Sequence, residues 1–361
     1  MTLRKKEKMN VMVLPVSTSC NLSCKYCYHS NEVNRKISKM SDEILRKIIV
    51  EAAELASDID FIWHGGEPLL AGRNFYKRAL FFQNEARFSG KIRNIIQSNA
   101  TLIDDDWADF LSENNFLVGT SIDGPRALHN ACRVNKRNGG TFSGVVGGLK
   151  KIQERKKNVG CITLITTRNV NHPEEVFKTI RELKIPNLAL HFCASTSSHN
   201  SDDFIPFQEN VLRFLKKLFK LWTDADDPLF RIRNFVNVIR ANNGAKALDC
   251  AHQADACKFF VAIDASGNVF PCHRFSHDLT KRIGNITTRS LSEILELSKD
   301  VYVSMSALPA NCKKCRHLPA CGNGCAYERF VANKSFNSQH PNCWTNKKII
   351  SHIKQWEKIK K

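Results

Sequence analysis

Cys20-Asn21-Leu22-Ser23-Cys24-Lys25-Tyr26-Cys27 follows directly on the first apolar stretch of the chain, Val11 to Val16. The pattern Cys-x-x-x-Cys-x-Tyr-Cys gathers three thiols into one short loop. Three thiolates at this spacing can hold three corners of a cubane [4Fe–4S] cluster, because sulfur donors suit the irons of such clusters. A structural cluster takes four cysteines. Three with no fourth nearby suggest one iron left open for a small molecule. The competing reading, three buried or disulfide-forming cysteines, suits any two of them better than it suits the triplet.

The chain has 361 residues, enough for one large and one smaller domain. With 42% hydrophobic residues it can bury an ample core. The start, Met1 to Lys8, is strongly charged, and the apolar stretch after it is too short for a signal peptide and contains Pro15. No apolar run approaches the roughly 18 residues needed to span a bilayer. Fourteen cysteines without secretory features point to the reducing cytoplasm, where such patterns bind metal more often than they form disulfides. The net charge of +19 allows nucleic acid, an anionic membrane or an acidic peptide as partner. The basic residues are spread along the chain, without a recognition module or a long Lys/Arg run, so nucleic acid is not expected.

The first two-thirds alternates short apolar runs with amphipathic stretches. Strands are expected at Asn10–Val16, Asp60–His64, Arg93–Ser98, Phe116–Ile122, Gly160–Thr166 and Asn187–Phe192. Helices are expected at Asp42–Leu55, Phe75–Ala86, Asp104–Glu113, Phe142–Gln153, His172–Leu183 and Pro206–Trp222. This alternation argues for an α/β fold of βα units on a parallel sheet, a partial (β/α)6 TIM-like barrel. After about Arg240 the strands shorten and cysteines become frequent. Ala265-Ser266-Gly267-Asn268 reads as a hairpin turn between Val261–Asp264 and Val269–Pro271, and Leu291–Leu297 as a short helix. Near the end Ile349, Ile350, Ile353, Trp356 and Ile359 share a helical face, which packs on the body of the protein or, less favoured, lies on a membrane. The expected division is residues 1–240 for the barrel, 241–346 for the cysteine-rich region and 347–361 for a basic terminal helix.

The chemistry-bearing residues fall at strand ends, where βα barrels build their sites. Gly65-Gly66-Glu67-Pro68 follows the second strand, Gln97-Ser98-Asn99 ends the third, and Ser121-Ile122-Asp123-Gly124-Pro125 ends the fourth. Arg133 lies twelve residues beyond Ser121, with a guanidinium suited to a carboxylate or to an ordinary ion pair. A second signature lies in the last third. Cys257 is followed by nine residues, Gly267, four residues and Cys272; then come Cys312-x-x-Cys315, Cys321, Cys325 and Cys343, with Cys250 standing before them all. Eight cysteines make two four-ligand sites possible, with zinc as the alternative occupant.

Together these residues resemble the radical S-adenosylmethionine (SAM) family carrying a SPASM auxiliary-cluster domain, over nearly the whole chain. The resemblance implies a C-terminal SPASM domain, SAM and three [4Fe–4S] clusters. Cys20, Cys24 and Cys27 would ligate the SAM cluster. Cys250, Cys257, Cys272 and Cys325 would ligate one auxiliary cluster, and Cys312, Cys315, Cys321 and Cys343 the other. Tyr26, Gly65, Gly66, Glu67, Asn99, Ser121 and Arg133 would contact SAM. The implied chemistry is reductive cleavage of SAM to a 5′-deoxyadenosyl radical that abstracts a hydrogen atom from a peptide or protein side chain. Cys132, Cys161 and Cys193 remain as core residues, with Cys193 the one closest to the active-site side.

Two subfamilies compete. Anaerobic sulfatase-maturating enzymes oxidise a cysteine or serine to formylglycine and carry an aspartate directly after the hairpin cysteine as general base. Here that position is His273, in Pro271-Cys272-His273-Arg274-Phe275. Histidine can act as a base near neutral pH. The run looks more like maturases that install carbon–carbon or thioether crosslinks in ribosomally made peptides, and this is the main expectation, with sulfatase maturation the alternative. His273 and Asp123 are the candidate catalytic residues, with His129 a third by position. The first cluster cysteine at residue 20 leaves no room for a leader-binding domain, so a separate leader-binding protein or direct recognition of a leader, which could be acidic, is expected. So is an electron donor such as flavodoxin or ferredoxin. A non-catalytic zinc scaffold would be colourless and contain zinc. The enzyme should be brown and hold about twelve irons, four for each cluster, after anaerobic reconstitution. Iron counting separates the two.

Overall fold

The structure, a computed structural model, describes residues 6–29, 38–194 and 201–360; the charged start before Lys6 lies outside them. Among the described residues ten strands form one sheet: β1 (Lys6–Leu14), β2 (Ala56–Trp63), β3 (Lys91–Gln97), β4 (Leu117–Ser121), β5 (Val159–Ile165), β6 (Asn187–Phe192), β7 (Arg231–Ile232), β8 (Phe260–Asp264), β9 (Asn268–Phe270) and β10 (Gly284–Asn285). Their order is β10-β9-β8-β1-β2-β3-β4-β5-β6-β7. From β1 to β7 all neighbours pair in parallel. Connecting helices are α1 (Asp42–Leu55), α2 (Arg73–Glu85), α3 (Asp105–Glu113), α4 (Arg126–Cys132), α5 (Phe142–Glu154), α6 (Pro173–Glu182), α7 (Gln208–Ala225) and α8 (Arg233–Asn242). The six expected strands and six expected helices all form, in an α/β fold.

Local chemistry explains the elements. Ser41 caps α1 by accepting the Ile44 N–H, and Leu45, Ile48, Ile49 and Ala52 bury one face at helical spacing. Asp104 caps α3 by accepting the Trp107 N–H at 2.8 Å. β1 begins at Lys6 rather than Asn10. Its charged first half pairs with the start of β2, and Lys8 and Arg93 both reach the buried Asp60. The short α4 is absent from the sequence reading. Pro125 stands at its N-cap, where the missing proline N–H costs no intrahelical bond.

The last third extends the barrel's own sheet. β8 pairs in parallel with β1, from Asn10↔Phe260 to Leu14↔Asp264, and returns through the expected hairpin to β9. Along β1 the faces alternate. Met9, Val11 and Val13 join the core under the helices, whereas Met12 and Leu14 face a second core with Ala262, Phe270, Phe275, Met305 and Tyr327. The remaining helices are α9 (Leu291–Leu297), α10 (Lys299–Met305), α11 (Ala310–Lys313), α12 (Leu318–Cys321), α13 (Ala326–Asn333) and α14 (Cys343–Lys360). α14 packs on the body of the protein: Trp356 meets Phe219 edge-on at 5.3 Å, and Ile349, Ile350 and Ile353 are buried. Ile359 was expected on the same face but is exposed, because the helix outruns its support. No helix among the described residues is long and apolar enough to cross a membrane.

Arg329 on α13 is 1% exposed and donates to three main-chain carbonyls, those of Met305, Ala307 and Phe336. Arg329→Met would leave these carbonyls buried and unpaired. We expect about 3 kcal/mol of destabilisation, read as a lowered denaturation midpoint. An unchanged midpoint would contradict the bracing role.

Candidate active site

The cysteine loop leaves the C-terminal end of β1 and is held by the loops of its neighbours. The Gly66 N–H donates to Ser17 O at 3.0 Å and the Glu67 N–H to Ser19 O at 2.8 Å. Only glycines allow this approach. A Cβ on Gly65 would lie 2.3 Å from Ser17 O, one on Gly66 2.0 Å from Ser19 O, and Gly65 has φ +105°. On the other side the Ser23 N–H donates to Val134 O at 2.8 Å and the Lys25 N–H to Cys132 O at 2.9 Å.

Glu67 was expected to touch SAM. Its carboxylate is fully buried and accepts instead from the Leu69 N–H, the Ser98 hydroxyl and the Asn99 N–H. Burial pushes its carboxyl up to about 7 against the pull of these bonds. Asn99 continues the chain of contacts. Its Nδ2 donates to Asn21 Oδ1 at 2.8 Å and lies 3.8 Å from Cys20 Sγ. Ser121 ends β4, with its hydroxyl 3.4 Å from Gln97 Nε2.

Asp123 was a candidate base, and its geometry assigns it another part. Oδ2 accepts from Tyr26 OH at 2.5 Å and Arg133 Nε at 2.9 Å, and Oδ1 accepts from the Leu164 N–H at 3.0 Å. Both oxygens are engaged in clamping Tyr26 and Arg133 together, and the Arg133 guanidinium lies over the Tyr26 ring at 5.4 Å. His129 is fully buried within hydrogen-bond reach of the Thr141 hydroxyl and the Asp123 N–H, so it serves the same fold.

The cysteines fall into three sets of mutual electrostatic neighbours. Cys20, Cys24 and Cys27 form the first. Cys250, Cys257, Cys272 and Cys325 form the second. Cys312, Cys315, Cys321 and Cys343 line one pocket with Asn323 and Lys347. Burial pushes Cys20, Cys24 and Cys257 up to about 12, and neighbouring thiols add to the shift. Thiolates so placed need a cationic occupant, which the irons of a cluster supply. Among the described residues no group of three or more His, Cys, Asp or Glu could hold a single metal ion. A cubane puts each thiolate on a different iron, so its ligands need not converge on one point. Cys132, Cys161 and Cys193 are buried, as expected of core residues.

His273 has company that the sequence did not disclose. Its ring lies 4.4 Å from that of His64, and its Nδ1 lies 3.2 Å from Met12 Sδ. Tyr28, His29 and His277 adjoin the group. His191 is an electrostatic neighbour of both His64 and His273. Burial lowers His64 and His191 to about 4 and His273 well below the ordinary range, so these rings are neutral near pH 7. Five imidazoles from four separate segments have no sequence spacing that would announce them.

Glu67 gives a pH test. A carboxyl whose pKa rises on folding stabilises the fold below its unfolded value, near 4.5, and that contribution is lost as pH rises through about 7. The stability difference between the wild-type protein and Glu67→Gln should therefore shrink by on the order of 3 kcal/mol across this window. A difference independent of pH in denaturant titrations would refute the assignment.

Residues 14–222 match the family model of the radical SAM superfamily, and residues 256–317 that of SPASM, an iron-sulfur cluster-binding domain. A cysteine-type anaerobic sulfatase-maturating enzyme of Clostridium perfringens is 31% identical over 88% of this chain and 88% of its own length. A serine-type enzyme of Bacteroides thetaiotaomicron is 30% identical over 89% of this chain and 83% of its own. The solved structure of native anSMEcpe with bound AdoMet superposes with a TM-score of 0.86 at 27% identity, covering 97% of this chain and 98% of that one. Streptococcus suis SuiB bound to precursor peptide SuiA shares the fold at TM-score 0.67 and 15% identity, over 94% of this chain and 76% of its own. The three thiol sets, the glycine-held loop and the parallel barrel thus stand in a recognised lineage, and the chain belongs to the radical SAM superfamily, in the branch that carries a SPASM iron–sulfur domain.

Proposed function

We propose that this enzyme oxidises a cysteine or serine side chain of a protein or peptide substrate to formylglycine. The observation that carries the reading is similarity at 30–31% identity, across both cysteine-bearing regions, to cysteine- and serine-type anaerobic sulfatase-maturating enzymes. Solved anSMEcpe with bound AdoMet and Kp18Cys peptide adds support, since 98% of this chain superposes on it. This order reverses the expectation from sequence, which put peptide crosslinking first on the strength of Pro271-Cys272-His273-Arg274-Phe275.

In this reading residues 1–240 hold SAM, residues 241–346 hold two auxiliary clusters and residues 347–361 complete the terminal helix, although α14 already starts at Cys343. Cys20, Cys24 and Cys27 hold the first cluster, Cys250, Cys257, Cys272 and Cys325 the second, and Cys312, Cys315, Cys321 and Cys343 the third. When bound, SAM and these clusters supply the radical that takes the first hydrogen atom and the acceptor for the remaining electron. Tyr26, clamped with Arg133 by Asp123, would bear on the bound nucleoside, and Arg133 on its carboxylate. Gly65, Gly66, Asn99 and Ser121 would present backbone and small polar groups, with Glu67 holding them from behind. Neutral His273 would accept the proton that the substrate thiol or hydroxyl loses, with the rings around it keeping water out. For cysteine, loss of one hydrogen atom, one proton and one electron leaves a thioaldehyde, and water then replaces sulfur as hydrogen sulfide leaves. A reducing cytoplasm and a one-electron carrier such as flavodoxin or ferredoxin suit this chemistry.

The second reading, crosslinking of a ribosomal peptide with help from a separate leader-binding protein, is favoured by one observation, histidine instead of aspartate after Cys272. Incubation with SAM, reductant and a sulfatase-derived cysteine peptide decides between them. We expect oxygen in place of sulfur with loss of two hydrogens, and a product that reacts with hydrazides. A product lacking two hydrogens but keeping its sulfur and inert to hydrazides would establish crosslinking instead. His273→Ala should slow product formation about 10²–10⁴-fold while SAM cleavage persists. An unimpaired His273→Ala would remove it from the mechanism.

A further inference from the structure

Arg274 follows His273, and no step above uses it. Its Nη1 lies 3.5 Å from Cys325 Sγ and 2.6 Å from Glu328 Oε1. The guanidinium stacks over the Tyr327 ring at 4.6 Å. The other oxygen of Glu328 lies 2.7 Å from His340 Nε2. His340 is itself held, its ring Nδ1 accepting from the Asn342 N–H at 3.1 Å and its main-chain N–H donating to Asn323 Oδ1 at 3.1 Å. The side chains of Arg274 and Glu328 are only 22% and 14% exposed. A cation is therefore fixed beside a cysteine sulfur, and an anion is fixed behind the cation. Buried charges so placed are weakly screened.

We propose that Arg274 is a positioning residue that sets the reduction potential of the cluster assigned to Cys250, Cys257, Cys272 and Cys325, with Glu328 as its counter-charge. This rests on the cluster assignment given under Proposed function. Reduction adds one electron to a cluster and makes it more negative. Hydrogen bonds to ligand sulfurs and nearby positive charge favour that state and raise the potential, whereas nearby negative charge lowers it. Arg274 supplies a donor and a full charge to Cys325, and Glu328 moderates both. The pair thus makes this cluster a readier acceptor for an electron left on substrate than its thiolates alone would.

The test uses the full chain with Cys20, Cys24 and Cys27 replaced by alanine, reconstituted anaerobically, so that only the auxiliary clusters remain. Iron content comes first. About eight irons per chain supports the assignment, and a parent without them overturns the functional reading and this inference together. Redox titration followed by electron paramagnetic resonance then reads two midpoints. We expect Arg274→Gln to lower one midpoint and leave the other unchanged, Glu328→Gln to raise the same one, and Arg274→Lys to stay near the parent. Opposite signs from the two neutralising changes separate charge tuning from damage to packing. With the parent clusters present, the proposal alone is overturned by unchanged midpoints, by shifts of the same sign, or by loss of about four irons in Arg274→Gln.

Discussion

β1 is hydrogen-bonded along both edges by strands from distant parts of the chain. Val13 pairs with Trp63 on one side and Ile263 on the other. A slip of one residue would break two ladders and exchange Val11 and Val13 with Met12 and Leu14 between two different cores. The cysteine loop begins where this strand ends. Its position is therefore set by a strand that cannot move, and both halves of the molecule depend on that strand.

From this fixed point the loop is fastened through main-chain contacts that tolerate no side chain at Gly65 or Gly66. Glu67 and Asn99 carry the restraint to the third strand, and the segment after α4 closes it from the other side. Buried cations serve the same end. Arg133 near the first thiol set and Arg274 near the second lie where thiolates concentrate negative charge. Part of the +19 charge is thus internal compensation and not an exposed basic surface.

The barrel was legible because apolar runs of period two alternate with helical periods, and α1 and α9 form over the residues expected. The triplet Cys20, Cys24 and Cys27 stood out because its thiols lie in one short run, whereas the grouping of Cys325 with Cys250, Cys257 and Cys272 followed only from the resemblance. Other features were hidden for physical reasons. The pairing of β8 with β1 joins segments about 250 residues apart, and no local pattern records it. The clamp of Asp123 on Tyr26 and Arg133, and the meeting of His29, His64, His191, His273 and His277, exist only once the strands have closed. Glu67 lay within a recognised motif, yet its carboxylate faces the protein's interior. Ile359 obeyed the helical period but extends past the surface that buried its neighbours.

The shared strand also bears on biosynthesis. Val11 leaves the ribosome long before its partner Val261 exists. At typical synthesis rates this interval is roughly 12 to 50 s, during which one edge of β1 has no strand to pair with. An unpaired apolar edge invites association with other chains. Nascent molecules thus carry their cysteine loop on a strand still half-open, and protection by a chaperone or early delivery of iron and sulfide would matter most in that interval.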